Sequence, residues 1–184
     1  MKTWFALLRG VNVGGHNKLP MKALAAALAQ LGLENVRTYI QSGNVVFAAT
    51  GGTAAALSTK IAEAIDAEFR FRPKVLVLSL AELTAAARGN PFPGAQRDPK
   101  SVHLCFLDGA PSRPDFARID AAKAKSEDYV LKGRIFYLHT PAGYGVSKLA
   151  AVAEKLLGVG ATARNWRTVT MLLAMAKGEG RPKQ

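Results

Sequence analysis

Two successive β-α-β-β-α-β orders of apolar periodicity, separated by a proline-rich segment and followed by one more amphipathic stretch, predict an α+β protein. That order is the split βαβ unit, so the expected architecture is two ferredoxin-like β-α-β-β-α-β subdomains plus a C-terminal helix. The repeat lies in the order of elements and not in residue identity, and it suggests duplication. The expected subdomains are 1–90, with a trailing short helix, and 100–178. A linker at 91–99 joins them, and 179–184 forms a flexible tail.

In the first subdomain a strand is expected over Thr3–Val11. A helix over Pro20–Leu31 follows, with Met21, Leu24, Leu28 and Leu31 on one face, Pro20 in its first turn and Gly32 just past its end. Strands at Val36–Gln41 and Asn44–Ala49 flank a turn. The helix Ala54–Arg70 then turns Leu57, Ile61, Ile65 and Phe69 inward and leaves Lys60, Glu63, Asp66 and Glu68 in water. A strand at Lys74–Leu78 closes the unit. Ser79 and Glu82 form a capping box that opens a short helix, stopped at Gly89-Asn90-Pro91.

The segment Asn90–Pro99 carries three prolines and marks the boundary. Beyond it the order recurs: strand Ser101–Leu107, helix Pro114–Lys125, strands Tyr129–Leu131 and Arg134–His139, helix Val146–Leu157, and a short strand at Gly160–Ala163. The last helix is expected over Trp166–Lys177, with Val169, Leu172, Leu173 and Ala176 apolar.

Composition narrows the function classes. The 184 residues are 49% apolar, enough for proper cores. The N-terminal apolar run is cut by Arg9-Gly10, and no stretch approaches the roughly 20 apolar residues of a membrane helix. We therefore expect a cytoplasmic protein with no membrane partner. The single cysteine, Cys105, sits within an apolar run and reads as a buried hydrophobe. His16, His103 and His139 are scattered, so no structural metal and no cofactor is expected. The formal net charge of +12 favours an acidic partner, either an anionic small molecule or nucleic acid, although the cations are dispersed along the chain.

Three stretches look built for a ligand. The first strand runs into Arg9-Gly10-Val11-Asn12-Val13-Gly14-Gly15-His16-Asn17-Lys18, a loop of glycines, amides and cations that ends at a helix start. Gly10 and Gly15 have the spacing of a phosphate-binding P-loop, but His16 and Asn17 stand where its lysine and hydroxyl belong. No G-x-G-x-x-G is present either, which sets aside the dinucleotide fingerprint. In the split βαβ topology the exit of the first strand lies at the same sheet end as the turn Gln41-Ser42-Gly43-Asn44. Candidate ligand groups are therefore Arg9, Asn12, Gly14, Gly15, His16 and Lys18, with Gln41, Ser42 and Asn44 beside them. A third group is Arg164, Asn165 and Trp166: the arginine suits a carboxylate or phosphate and the indole suits a flat group. Local roles compete with each assignment. Asn12 and Asn17 can bond to backbone, Gly43 can serve the turn alone, Asn165 can cap the last helix and Trp166 can fill a core.

At these same three places the chain resembles a bacterial family known as domain of unknown function 1697. The resemblance rests on Leu8–Met21 (L-R-G-V-N-V-G-G-H-N-K-L-P-M), Thr38–Phe47 (T-Y-I-Q-S-G-N-V-V-F) and Thr162–Val169 (T-A-R-N-W-R-T-V). Leu19 stands where the family pattern has a β-branched residue. The resemblance implies an α+β fold with two related subdomains. It implies that Arg9, Gly10, Asn12, Gly14, Gly15, Lys18, Gln41, Ser42, Gly43, Asn44, Arg164, Asn165 and Trp166 are family motif positions, and it carries no assigned activity.

Two functions remain in view. The first is binding of a small anion at the glycine-rich loop; if the site performs chemistry, His16 is the candidate acid or base and Lys18 the electrostatic stabiliser. The second is nucleic-acid binding through aromatics on a sheet, for which Lys132-Gly133-Arg134-Ile135-Phe136-Tyr137 has the flavour but not the RNP1 pattern.

Overall fold

The computed structural model describes residues 1–179 and divides into two compact units, Met1–Ala85 with the chain from Met171 onward, and Ala86–Thr170. Of the expected tail, residues 180–184 lie outside the described residues. The first unit contains β1 (Lys2–Arg9), α1 (Met21–Gln30), β2 (Glu34–Tyr39), β3 (Asn44–Ala49), α2 (Ala54–Phe69) and β4 (Lys74–Ser79). The helix α3 (Leu80–Arg88) follows. The second unit contains β5 (Val102–Leu107), α4 (Phe116–Ala122), β6 (Asp128–Lys132), β7 (Ile135–His139), α5 (Lys148–Leu157) and β8 (Ala161–Asn165), and α6 (Trp166–Ala176) ends the chain of elements.

The sheets have the orders β2-β3-β1-β4 and β6-β7-β5-β8, the same order twice, with every neighbouring pair antiparallel. These are the two ferredoxin-like units that the element order predicts. In the first, Trp4, Ala6 and Leu8 of β1 pack with Leu24 and Leu28 of α1 and Ile61 and Ile65 of α2. The opposite face is closed as well, since Phe5, Leu7 and Val46 are also buried. Arg37, in register with Val46 and so on that second face, donates to the carbonyl of Met175.

The second unit repeats this two-sided burial. Cys105, Leu107, Phe136 and Leu138 form one core with Ile119, Leu149 and Leu157. On the other face Val102, Leu104, Phe106 and Tyr137 are buried. The Tyr137 hydroxyl donates to the Ala86 carbonyl at 2.8 Å, and Lys132 Nζ lies 5.7 Å from its ring centre while bonding the Gly89 carbonyl. Within Lys132–Tyr137, residues Lys132–Arg134 are exposed at the β6–β7 turn and the aromatics Phe136 and Tyr137 are buried in β7, so they present no open stacking platform.

Local signals explain most boundaries. Ser79 and Glu82 form the expected box, with the Ser79 N–H reaching the Glu82 carboxylate at 2.7 Å and the Glu82 N–H reaching Ser79 Oγ at 3.2 Å. Several boundaries differ from expectation: β1 ends at Arg9 rather than Val11, β8 runs Ala161–Asn165 rather than Gly160–Ala163, and three other elements shift for local reasons. α4 is shorter than Pro114–Lys125: Asp115 caps it, and the Ala124 N–H goes to the Glu127 carboxylate at 3.0 Å instead of to a helical carbonyl. α5 starts at Lys148 because Ser147 accepts from the Ala150 N–H, which leaves Val146 in a short 3-10 turn ahead of the cap. β2 starts at Glu34 and stops at Tyr39, short of Gln41, because Ile40 has φ 49° and leaves the extended region.

Two titratable groups on β5 face the helical core. Burial pushes the Cys105 thiol up to about 12, so it stays protonated at neutral pH. His103 packs its ring on Tyr144, with centroids 4.4 Å apart, and its buried Nδ1 has no hydrogen-bond partner among the described residues. Burial lowers its pKa from 6.5 to about 4, so the folded protein holds it neutral. The unfolded chain takes up a proton near pH 6.5 and the folded chain only near pH 4. The resulting stability is present above pH 6.5 and is lost as the pH falls to about 4, amounting to about 2–3 kcal/mol. Denaturant titrations of wild type and His103→Phe across pH 4–7 should show this slope in the wild type and a shallower one in the variant.

Candidate functional site

The end of the first sheet where β1 exits carries the candidate site. Register places Leu7 opposite Asn44 and Arg9 opposite Lys74, so the β1 exit, the β2–β3 turn and the start of β4 meet at this end. The topology thus brings together the two motif loops that the sequence placed there.

The glycine loop folds as a small hairpin. Val13 and His16 form an isolated antiparallel bridge, closed by the His16 N–H on the Val13 carbonyl at 3.0 Å, and the Asn12 N–H reaches the Asn17 carbonyl at 3.1 Å. Gly14 and Gly15, at φ 58° and 80°, supply the two left-handed residues of a type I′ turn. Asn12 and Asn17 are left-handed as well, at φ 54° and 51°.

The two asparagines hold this hairpin in place. The Asn12 carboxamide accepts from the Leu19 N–H at 2.8 Å and donates to the Leu19 carbonyl at 2.9 Å, mimicking a paired backbone residue. The same Nδ2 donates to the Gln41 carbonyl at 2.8 Å and so ties the loop to the β2–β3 turn. Asn17 Nδ2 donates to the Gly10 carbonyl at 2.9 Å.

The β2–β3 connection is a four-residue turn, Ile40–Gly43, rather than a two-residue Ser42-Gly43 hairpin. Asn44 is fully buried, and its Nδ2 donates to the Tyr39 carbonyl at 3.1 Å and to Ser42 Oγ at 2.9 Å. Gly43 accepts from the Leu8 N–H at 2.8 Å. A Cβ on Gly43 would stand 2.6 Å from the Leu8 Cβ and 2.7 Å from the Val11 Cγ2, and φ is 72°, so both space and conformation require glycine.

The sequence-predicted groups therefore divide. His16, Lys18, Gln41 and Ser42 are exposed at the sheet end with Gly14 and Gly15, and Arg9 is half-buried beside them. The amides of Asn12, Asn17 and Asn44 bond the protein itself. Arg164, Asn165 and Trp166 belong to the second unit. There Asn165 Oδ1 accepts from the Thr168 N–H at 2.9 Å, which is N-cap geometry, and Trp166 is half-buried. Arg164 donates to the Ala163 carbonyl at 2.8 Å, and burial lowers its pKa to about 10, leaving it charged at neutral pH. Sequence reasoning missed Lys74, whose place opposite Arg9 follows only from strand register, and the exposed aliphatics Val13 and Ile40. No group of three or more metal-ligating side chains occurs among the described residues, nor any helix long and apolar enough to cross a membrane.

Fold and sheet-end geometry define a two-unit α+β protein of ferredoxin-like topology. The chain belongs to the family described as "Protein of unknown function (DUF1697)", which matches residues 1–137 and so covers both motif loops of the first unit. A solved structure, the conserved bacterial protein SP0830 from Streptococcus pneumoniae, is similar to it at 29% identity and a TM-score of 0.71. That similarity covers 95% of this chain and 98% of that one. No curated protein matches the chain.

Asn12→Ala removes three hydrogen bonds and puts alanine at positive φ. The expected cost is about 2–4 kcal/mol, read as a lowered denaturation midpoint. Gly43→Ala should cost about 3 kcal/mol or more; unchanged unfolding of this variant would contradict the close approach of β1 to the turn.

Proposed function

We propose that the protein binds a small anionic ligand, bearing phosphate or carboxylate, at the sheet end formed by the Arg9–Lys18 loop and the Gln41–Asn44 turn. The observation that carries this reading is the Asn12 tie. A loop that only reverses the chain gains little from three side-chain bonds holding it to two separate segments. A loop that presents His16 and Lys18 to a ligand gains preorganisation, because its ordering cost is met before binding.

Electrostatics support an anion. No Asp or Glu occurs in residues 9–33 or 35–62, while Arg9, Lys18 and Lys22 lie around the loop. α1 has Pro20 at its N-cap, with no side-chain cap and no acidic residue in its first turn, whereas α2, α4 and α5 are capped by Thr53, Asp115 and Ser147. Its first N–H groups favour negative charge. Within this reading His16 and Lys18 contact the ligand, Gln41 and Ser42 orient it, and Asn12, Gly43 and Asn44 position the loops. The alternative of nucleic-acid binding draws support from the net charge of +12, but the burial of both sheet faces weighs against a sheet platform.

Thermal-shift and calorimetric titrations with inorganic phosphate, phosphorylated metabolites and dicarboxylates provide the test. Lys18→Ala should weaken the best ligand about 5- to 10-fold, the effect of one exposed charge-assisted contact. Unchanged affinity in that variant would overturn the site.

A further inference from the structure

Ile40 is disfavoured twice in the free protein. It is a β-branched residue in the left-handed region at φ 49°, a conformation that glycine or asparagine would adopt at less cost, and it is 53% exposed. Val13, at the tip of the glycine hairpin, is 65% exposed. The two are brought near each other by one bond: Asn12, next to Val13, donates to the carbonyl of Gln41, next to Ile40. An exposed aliphatic residue thus adjoins each end of the tie that joins the cation-bearing loop to the uncharged turn. A strained backbone that holds an apolar side chain in water motivates the hypothesis that something covers that side chain when the site is occupied.

We infer that the ligand of this sheet end is an amphiphilic anion, a phosphate or carboxylate attached to an apolar group, whose apolar part lies on Val13 and Ile40 while Lys18 and His16 take the charge. This rests on the anion reading above and narrows it. A bare sugar phosphate would leave both aliphatics in water, whereas an alkyl or aryl phosphate covers them. Charge complementarity selects the anionic end. Apolar area gives affinity that rises with each methylene buried.

The test is calorimetric titration with inorganic phosphate and with monoalkyl phosphates from methyl to hexyl, all below their micelle concentrations. Affinity should rise about two- to fourfold per methylene over the first few carbons. Ile40→Asn and Val13→Ser should flatten that rise. Ile40→Asn should at the same time raise Tm by about 2–4 °C, because asparagine tolerates the left-handed conformation; a purely structural isoleucine would not join a gain in stability to a loss of binding. Phosphate binding with no dependence on chain length overturns this inference and leaves the anion site standing. Absence of binding across the whole series overturns both.

Discussion

Burial of the central strands on both faces is the constraint from which the rest of the architecture follows. In β1, Trp4, Ala6 and Leu8 point to one side and Phe5 and Leu7 to the other, and all five are buried. β5 repeats this with Cys105 and Leu107 against Leu104 and Phe106. Each large apolar side chain so covered contributes roughly 1.5–3 kcal/mol relative to exposure, so neither face of the central strands can be open without a severe loss. Central strands closed on both faces leave no open platform at the middle of the sheet. In the first unit the sheet end where β1 exits brings the Arg9–Lys18 loop, with two cations and no acid, beside the uncharged Ile40–Gly43 turn.

The same constraint explains which parts of the fold were legible. Helices packed on one face of a sheet show a clear 3.6-residue stripe, and Met21, Leu24 and Leu28, or Leu57, Ile61 and Ile65, are buried as that stripe requires. The strands read as continuous apolar runs because both faces are covered, which is why β3 and β5 were found nearly to the residue. The ends of α4 and α5 were harder. There a carboxylate or hydroxyl competes for backbone N–H groups, and periodicity carries no record of which donor it takes. Glu127 truncates α4 in this way and Ser147 delays α5.

The candidate site was legible in location but not in the division of labour. Sequence placed the loop and turn together through topology alone, and the Asn12–Gln41 bond joins them. It could not distinguish an amide aimed at a ligand from an amide aimed at the backbone, because both uses call for the same residue type. Geometry separates them: Asn12 fits across both polar groups of Leu19, and Asn44 is sealed beneath its own turn. Ile40 was missed for the opposite reason. Its residue type argues for a strand, and only the backbone reveals that it sits outside one.

Rigid support and exposed function meet at the tie between loop and turn. Gly43 lets the turn press against Leu8 and Val11, Asn44 closes the turn from below, and Asn12 carries its position across to the hairpin. Each of these residues is tied to backbone, so the hairpin is coupled to the most deeply buried strand of the unit. His16 and Lys18 extend from that fixed base into water. Had the asparagines been free to reach a ligand, the loop would have to order on binding and would forfeit affinity to conformational entropy. Directing them inward leaves fewer polar groups facing outward, yet those that remain are held where a ligand would meet them.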